Sequence, residues 1–321
     1  MQHRALRKAR RLWPKSSRMR SGLSRRTKIW SAMTMVGVML VWILPFAGQN
    51  VAASQVVFSV EDRLGDDYGS GAVTYPLHHV FEPGLFDLRR VHIWHDNENI
   101  YFDISFAKVT NPWKAPEGFF HQLIDVYIDS EPGGHLKPVA PGPGIMFSPE
   151  AGWEYRLRIQ PWGGSRWLDA RSDPAKVHPI KALLLPDNKT IRGEVPLEIA
   201  GIPARKWQYY VLVGGFDTFG PDQYRAIQEV ASQWSFGGAT MADGPNVIDL
   251  LDPRLGGKRS QKAQLETKDL AQGEYPVLIP VSHGLSLPFT MGHLLASLAM
   301  LCLLGGIFIT VFRQEPPGYG Q

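Results

Sequence analysis

The sequence predicts an all-β fold, an antiparallel β-sandwich or jelly roll, set between two uncharged apolar segments. Three observations carry that expectation. Ile100, Phe102, Ile104 and Phe106 alternate with Tyr101, Asp103, Ser105 and Ala107, the period of two that marks a strand with one buried face. Short apolar runs recur between turn clusters such as Asp96–Asn99 and Pro186–Lys189. Helical periodicity is almost absent: only Tyr224–Gln233 reads as a short helix, and chains of short strands with Gly- and Pro-rich turns form sandwiches or jelly rolls.

The N-terminal end comes first in the chain. Residues 1–28 hold eleven Lys or Arg and no acid, and the first acid of the whole chain is Glu61. Ile29 to Ala47 then runs without a charge. A basic stretch before an apolar core is the pattern of a secretory signal or a signal anchor, and the basic side stays in the cytoplasm. The chain beyond Ala47 is therefore expected outside. Val51-Ala52-Ala53 supplies small residues for cleavage after Ala53, whereas the long basic region and the near-spanning apolar run suit a retained anchor. Both readings of residues 1–53 fit.

The exported part, 54–255, is read as one sandwich domain. Val91–His95 and Ile100–Phe106 form a hairpin about Asp96–Asn99. His121–Asp129 is a third strand. Trp153–Gln160 is a fourth, with Trp153, Tyr155, Leu157 and Ile159 on one face. Lys181–Leu185 and Thr190–Leu197 form a second hairpin, and Trp207–Asp217 is a further strand. Residues 256–288 are polar and charged and read as a linker. Phe289–Phe312 carries no charge apart from His293 and is long enough to cross a bilayer as a tilted helix, with 313–321 as a cytoplasmic tail.

Charge and cysteine content narrow the function classes. The formal net charge is +4, but residues 51–288 hold 22 Lys/Arg against 29 Asp/Glu. The basic total belongs to the leader and gives no ground for nucleic-acid binding. Cys302 is the only cysteine and falls in the second apolar segment, so no disulfide staples the domain. No HExxH, CxxCH or GxSxG motif occurs, and no pair of carboxylates stands out for glycoside hydrolysis.

Three features remain as candidates for binding. Glu61–Gly71 gathers Asp62, Asp66 and Asp67 among glycines, an arrangement that wraps oxygen ligands round a hard cation such as Ca²⁺ or forms a solvated acidic turn. Asp125, Tyr127 and Asp129 share one face of a strand whose other face, Ile124, Val126 and Ile128, is apolar; they are either ligands for metal or sugar, or a solvated face. Seven of the ten tryptophans lie in the exported part. Trp94, Trp113, Trp162 and Trp167, with Tyr127, are the candidate platforms for sugar rings, with core packing as the alternative.

Seven blocks then point to a family. Gly65–Pro76 (GDDYGSGAVTYP), Phe81–Leu88 (FEPGLFDL), Thr110–Trp113 (TNPW), Ile124–Asp129 (IDVYID), Phe219–Arg225 (FGPDQYR), Trp234–Gly238 (WSFGG) and Pro245–Leu251 (PNVIDLL) occur in that order. Together they resemble the C-terminal DOMON-like domain of glucodextranase, found also at the ends of amylopullulanases. The resemblance implies a non-catalytic sandwich similar to family 9 carbohydrate-binding modules, with Ca²⁺ as a candidate ligand. On it, Asp66 and Asp67 match the Gly-Asp-Asp block, and Asp125 and Asp129 the Asp-Val-Tyr-Ile-Asp block. The expected function is a surface module, held at the cell membrane, that binds polysaccharide or cell-wall glycan. A haem- or ligand-binding DOMON-type sensor and a glycoside hydrolase with an unrecognised site are the alternatives.

Overall fold

A computed structural model describes residues 54–240, 244–253, 260–266 and 274–283. The basic leader, the segment 289–312 and the tail 313–321 lie outside the described residues. Among the described residues no helix is long and apolar enough to cross a membrane.

Two antiparallel sheets face each other. The first has five strands in the order β1 (Gln55–Glu61), β2 (Leu88–His95), β3 (Asn99–Phe106), β10 (Thr190–Pro196) and β9 (Lys181–Leu184). The second runs β12 (Asp249–Leu250), β11 (Gln208–Gly215), β4 (Gln122–Asp129), β6 (Tyr155–Ile159), β7 (Arg166–Asp169) and β8 (Lys176–Pro179). Its β11 also pairs with β14 (Val281–Ser282). A separate parallel pair joins β5 (Met146–Phe147) to β13 (Val277–Leu278).

The alternation read in the sequence sets the inner faces. Ile100, Phe102, Ile104 and Phe106 of β3 enter one core cluster with Ile124, Val126 and Ile128 of β4 and Val211 and Val213 of β11. Phe58 of β1 meets Tyr209 of β11 with ring centroids 4.6 Å apart, and Phe102 meets Trp167 of β7 at 6.2 Å. Both expected hairpin turns form. Asp96 Oδ1 accepts from the backbone N–H groups of Glu98 and Asn99, each at 2.8 Å. Asp187 Oδ1 accepts from those of Lys189 and Thr190, at 3.0 and 2.9 Å.

Three expectations change. Tyr224–Gln233 forms no helix, because its N–H groups bond over long range: Arg225 to Gly215 O at 2.7 Å, Ile227 to Asn246 Oδ1 at 2.9 Å and Gln228 to Phe236 O at 2.9 Å. Trp153 does not share a face with Leu157. Strand β6 begins at Tyr155, and Trp153 packs behind the second sheet against Tyr127 at 5.0 Å.

The third change concerns 256–288, whose described residues are built into the domain rather than forming a linker. Ser260 caps a one-turn helix α2 (Gln261–Gln264), the successor to α1 (Leu197–Ala200). Leu265 and Leu278 are fully buried behind the second sheet. The polarity of the segment is consumed locally. Gln261 accepts from Leu250 N–H at 2.7 Å, donates to Asp66 O, and gives its own backbone N–H to Asp252 Oδ2 at 2.7 Å.

Gln261→Ala should therefore strand polar groups in a dry site. An unsatisfied buried group costs about 1–3 kcal/mol, so the denaturant midpoint should fall by a corresponding amount. An unchanged midpoint would mean that α2 does not bear on the domain's stability.

Candidate functional site

The second sheet has an unusual centre. Every residue of β4 is buried, so the face carrying Asp125, Tyr127 and Asp129 is not a solvated one. Asp125 lies between two arginines of the neighbouring β6, placed there by the pairing of Asp125 with Arg158 and of Tyr127 with Arg156. Its Oδ1 accepts from Arg156 Nε at 3.0 Å and Arg158 Nε at 2.9 Å. Its Oδ2 accepts from Arg158 Nη2 at 2.7 Å and from the Tyr224 hydroxyl at 2.7 Å. Both guanidiniums then reach Asp222 Oδ2, at 2.9 and 2.8 Å. Two acids and two bases balance, which is what permits charges in a dry interior. Asp222 and Gln223 sit at φ 46° and 63°, so this network holds a left-handed turn against the sheet.

The remaining sequence candidates on this strand are likewise engaged. Tyr127 packs on Phe147 at 4.6 Å with no exposed surface, so it offers nothing to a sugar. Asp129 accepts from Gln208 at 2.9 Å, and burial with Glu154 nearby pushes its carboxyl up to about 6.

A different acidic cluster forms at the edge where β1 ends and β12 begins. Carboxylate oxygens of Asp62, Asp66 and Asp249 lie within 4.8 Å of one another. Asp62 comes directly after β1, Asp66 stands on the Gly65 turn, and Asp249 opens β12. All three are nearly or fully buried, and none forms an ion pair among the described residues. Asp249 is held by the N–H groups of Leu88 at 2.7 Å and Leu250 at 2.8 Å, and Asp62 Oδ1 by that of Asp252 at 2.8 Å. Asp62 Oδ2 and Asp66 Oδ1 are buried with no hydrogen-bond partner.

Such a cluster resists ionisation. Burial, followed by the charge of Asp87, pushes Asp66 up to about 6. Burial and the neighbouring acids hold Asp62 and Asp249 well above the usual carboxylate range. Protons or a cation can relieve this, and an all-oxygen donor set with two orphaned oxygens suits a hard divalent cation.

Of the five acids singled out in the sequence, the structure thus unites Asp62 and Asp66. Asp67 instead accepts from the Tyr75 hydroxyl. Asp249 escaped sequence reading, although a lone acid within Val247-Ile248-Asp249-Leu250-Leu251 is the signal of a buried carboxylate that needs a partner.

The tryptophans divide similarly. Trp167 is fully buried in the core. Trp94 stacks on Tyr101 at 4.1 Å, faces Arg192 at 5.2 Å and donates to Asp103 Oδ2 at 3.0 Å. Trp113 and Trp162 stay exposed, as does Trp234, which the sequence reading left unassigned.

Comparison with known families bears on this arrangement. Residues 57–280 match the family of the C-terminal binding module, SLH-like, of glucodextranase. The chain belongs to this family. No curated protein matches it. The match runs past α2 and β13, in keeping with their place in the sandwich, and it identifies the domain as a binding module.

Within this binding module, Asp125→Ala would leave two buried guanidiniums without their carboxylate. Breaking one side of a buried ion pair costs about 3–5 kcal/mol. Chemical denaturation should show a loss of that order, and proteolysis should open the chain near Asp222 first. A loss under ~1 kcal/mol would show that the network is not holding the turn.

Proposed function

We propose that this chain is a non-catalytic module, held at the cell membrane and displayed outside, that binds polysaccharide or cell-wall glycan and carries a structural Ca²⁺. The observation that supports it most is membership of a glucodextranase binding-module family over 57–280. Export and anchoring rest on the eleven basic residues before Ile29 and on the uncharged runs Ile29–Ala47 and Phe289–Phe312. The absence of HExxH and GxSxG motifs supports a role without turnover.

Calcium would be held by Asp62, Asp66 and Asp249. When bound it supplies charge compensation, not chemistry. The carboxylates themselves tie the end of β1, the Gly65 loop and the start of β12 to one point. In a domain without disulfides that is a substitute staple.

The whole reading is tested on intact cells that express the full-length chain. They should be retained on immobilised dextran or on purified cell wall, and brief external protease should abolish retention. The purified full-length chain should release no reducing sugar from dextran or pullulan and show no Soret band. Sugar release that a single Asp or Glu substitution abolishes would make it a glycosidase, and a Soret band would make it a haem protein.

The metal makes a separate prediction with a definite sign. In EDTA, the folded form keeps the Asp66 proton up to about pH 6, whereas the unfolded chain gives it up near 3.8, the ordinary aspartate value. Stability should then fall as pH rises through that window, with Asp62 and Asp249 extending it upward. Excess Ca²⁺ should raise the melting temperature at pH 7, by the equivalent of about 2.7 kcal/mol at a hundredfold excess over Kd. Asp66→Asn, whose Oδ1 has no partner to lose, should remove that response while sparing or raising the EDTA stability, whereas Asp67→Asn should keep it. Identical melting curves in EDTA and millimolar Ca²⁺ would strike the metal from the proposal.

A further inference from the structure

The turn that the Asp125 network holds does more than cap the sheet. The residues flanking it, Asp217 and Phe219 before and Arg225 after, help line a cleft of ≈ 410 Å³ together with Trp162, Trp234 and Phe120 among others. Three of these rings are open to solvent: Trp162 is 51%, Trp234 45% and Phe219 97% exposed. Apolar rings so exposed and so grouped are not serving the core.

The backbone that carries them is nonetheless fixed. Trp162 lies at φ 61°, a left-handed conformation that a bulky residue rarely adopts. Glu117 holds it there by accepting from the N–H of Trp162 at 3.0 Å and of Gly163 at 2.6 Å. Trp234 stacks on His78 with centroids 4.2 Å apart and planes 23° from parallel, and Trp113 flanks it at 6.3 Å. Arg225 joins the two walls, donating to Trp234 O at 2.6 Å and to Phe216 O at 2.9 Å. The Phe219 N–H bonds to Asp217 Oδ1 at 3.1 Å. A backbone held in place before binding loses little entropy on contact.

The charge balance selects the ligand. Asp217 and Arg225 are the charged groups lining the cleft, and they lie 3.3 Å apart as an ion pair, so the cleft carries no net charge. Aromatic faces beside a few polar groups suit a ligand with an apolar face and a hydroxyl rim. A pyranose ring is such a ligand: its C–H face lies on an indole or phenyl ring, while its hydroxyls reach Asp217 and the Thr218 hydroxyl. We propose that this cleft is the glycan site of the module and that it takes hexopyranose units of a neutral polysaccharide. The assignment rests on the carbohydrate-binding reading above and gives it a place and a charge class.

The test is affinity electrophoresis and tryptophan fluorescence titration of the full-length chain against soluble dextran, pullulan and anionic alginate. A neutral glucan should retard the chain and perturb its fluorescence, and alginate should do neither. Phe219→Ala and Trp162→Ala should each weaken binding about threefold to tenfold, the range set by one aromatic contact. Phe219→Ala alters a side chain that packs on nothing, so its melting temperature should match wild type. Ile202→Ala, an exposed apolar residue that does not line the cleft, should bind as wild type. Glucan binding undiminished in both aromatic variants would overturn the cleft and leave the carbohydrate reading standing. Preference for alginate would overturn the neutral ligand. A wild-type chain that binds none of the polymers would remove both proposals together.

Discussion

One buried charge network constrains the rest of this domain. Asp125 occupies the middle of β4, between β11 and β6 and covered on both faces. A carboxylate there is tolerable only because Arg156 and Arg158 are delivered beside it by strand register, and because Asp222 absorbs their remaining charge. Two arginines on a strand of five residues would otherwise face solvent. Their burial obliges the chain to bring a second acid over the sheet, and the left-handed turn at Asp222 and Gln223 is the result. That turn in its place positions Tyr224, Arg225 and Phe219.

The far edge of the same sheet has the opposite electrostatics. Asp62, Asp66 and Asp249 converge without an ion pair among the described residues, next to Asp87 and Asp252, whose charges add to the repulsion that Arg63 only partly offsets. Gln261 braces this edge without neutralising it, since an amide supplies donors and an acceptor but no charge. The two halves of the second sheet thus differ in kind. One end is closed by its own arginines, while the other is left as an all-oxygen pocket whose balance must come from protons or a cation. The proposed calcium site and the proposed glycan cleft are physically separate consequences of the way each end resolves its charge.

Local alternation, as in β3, and turn chemistry at Asp96 and Asp187 were enough to read β2, β3, β4, β6, β9, β10, β11 and both hairpins, because each depends on neighbours a few residues away, whereas β1, β7, β8 and the short strands β5, β12, β13 and β14 went unread. The family, too, was legible in ordered local blocks such as Gly65–Pro76 and Pro245–Leu251, and the family match over 57–280 agrees. The candidate sites were legible only in part. Asp62 and Asp66 share one loop, but Asp249 reaches them from the other sheet, and no spacing rule connects positions so far apart in the chain. Trp167 and Trp162 lie five residues apart and look alike in sequence, yet one is core and the other is open.

The sequence by itself determined what local chemistry can determine: where strands alternate, where the chain turns, that the basic excess comes from residues 1–28, and which family the domain joins. Tertiary structure alone decided which polar residues are used up and which remain available. Asp125 and Asp66 are both acids in ordered blocks, but one is neutralised by arginines from the adjacent strand and the other keeps a bare oxygen. The physical reason is that a side chain's free valence depends on partners brought close by folding, often from distant parts of the chain. The segment read as a linker shows the same limit, since its polar residues become structural only where Leu250, Asp66 and Asp252 are waiting to bond them.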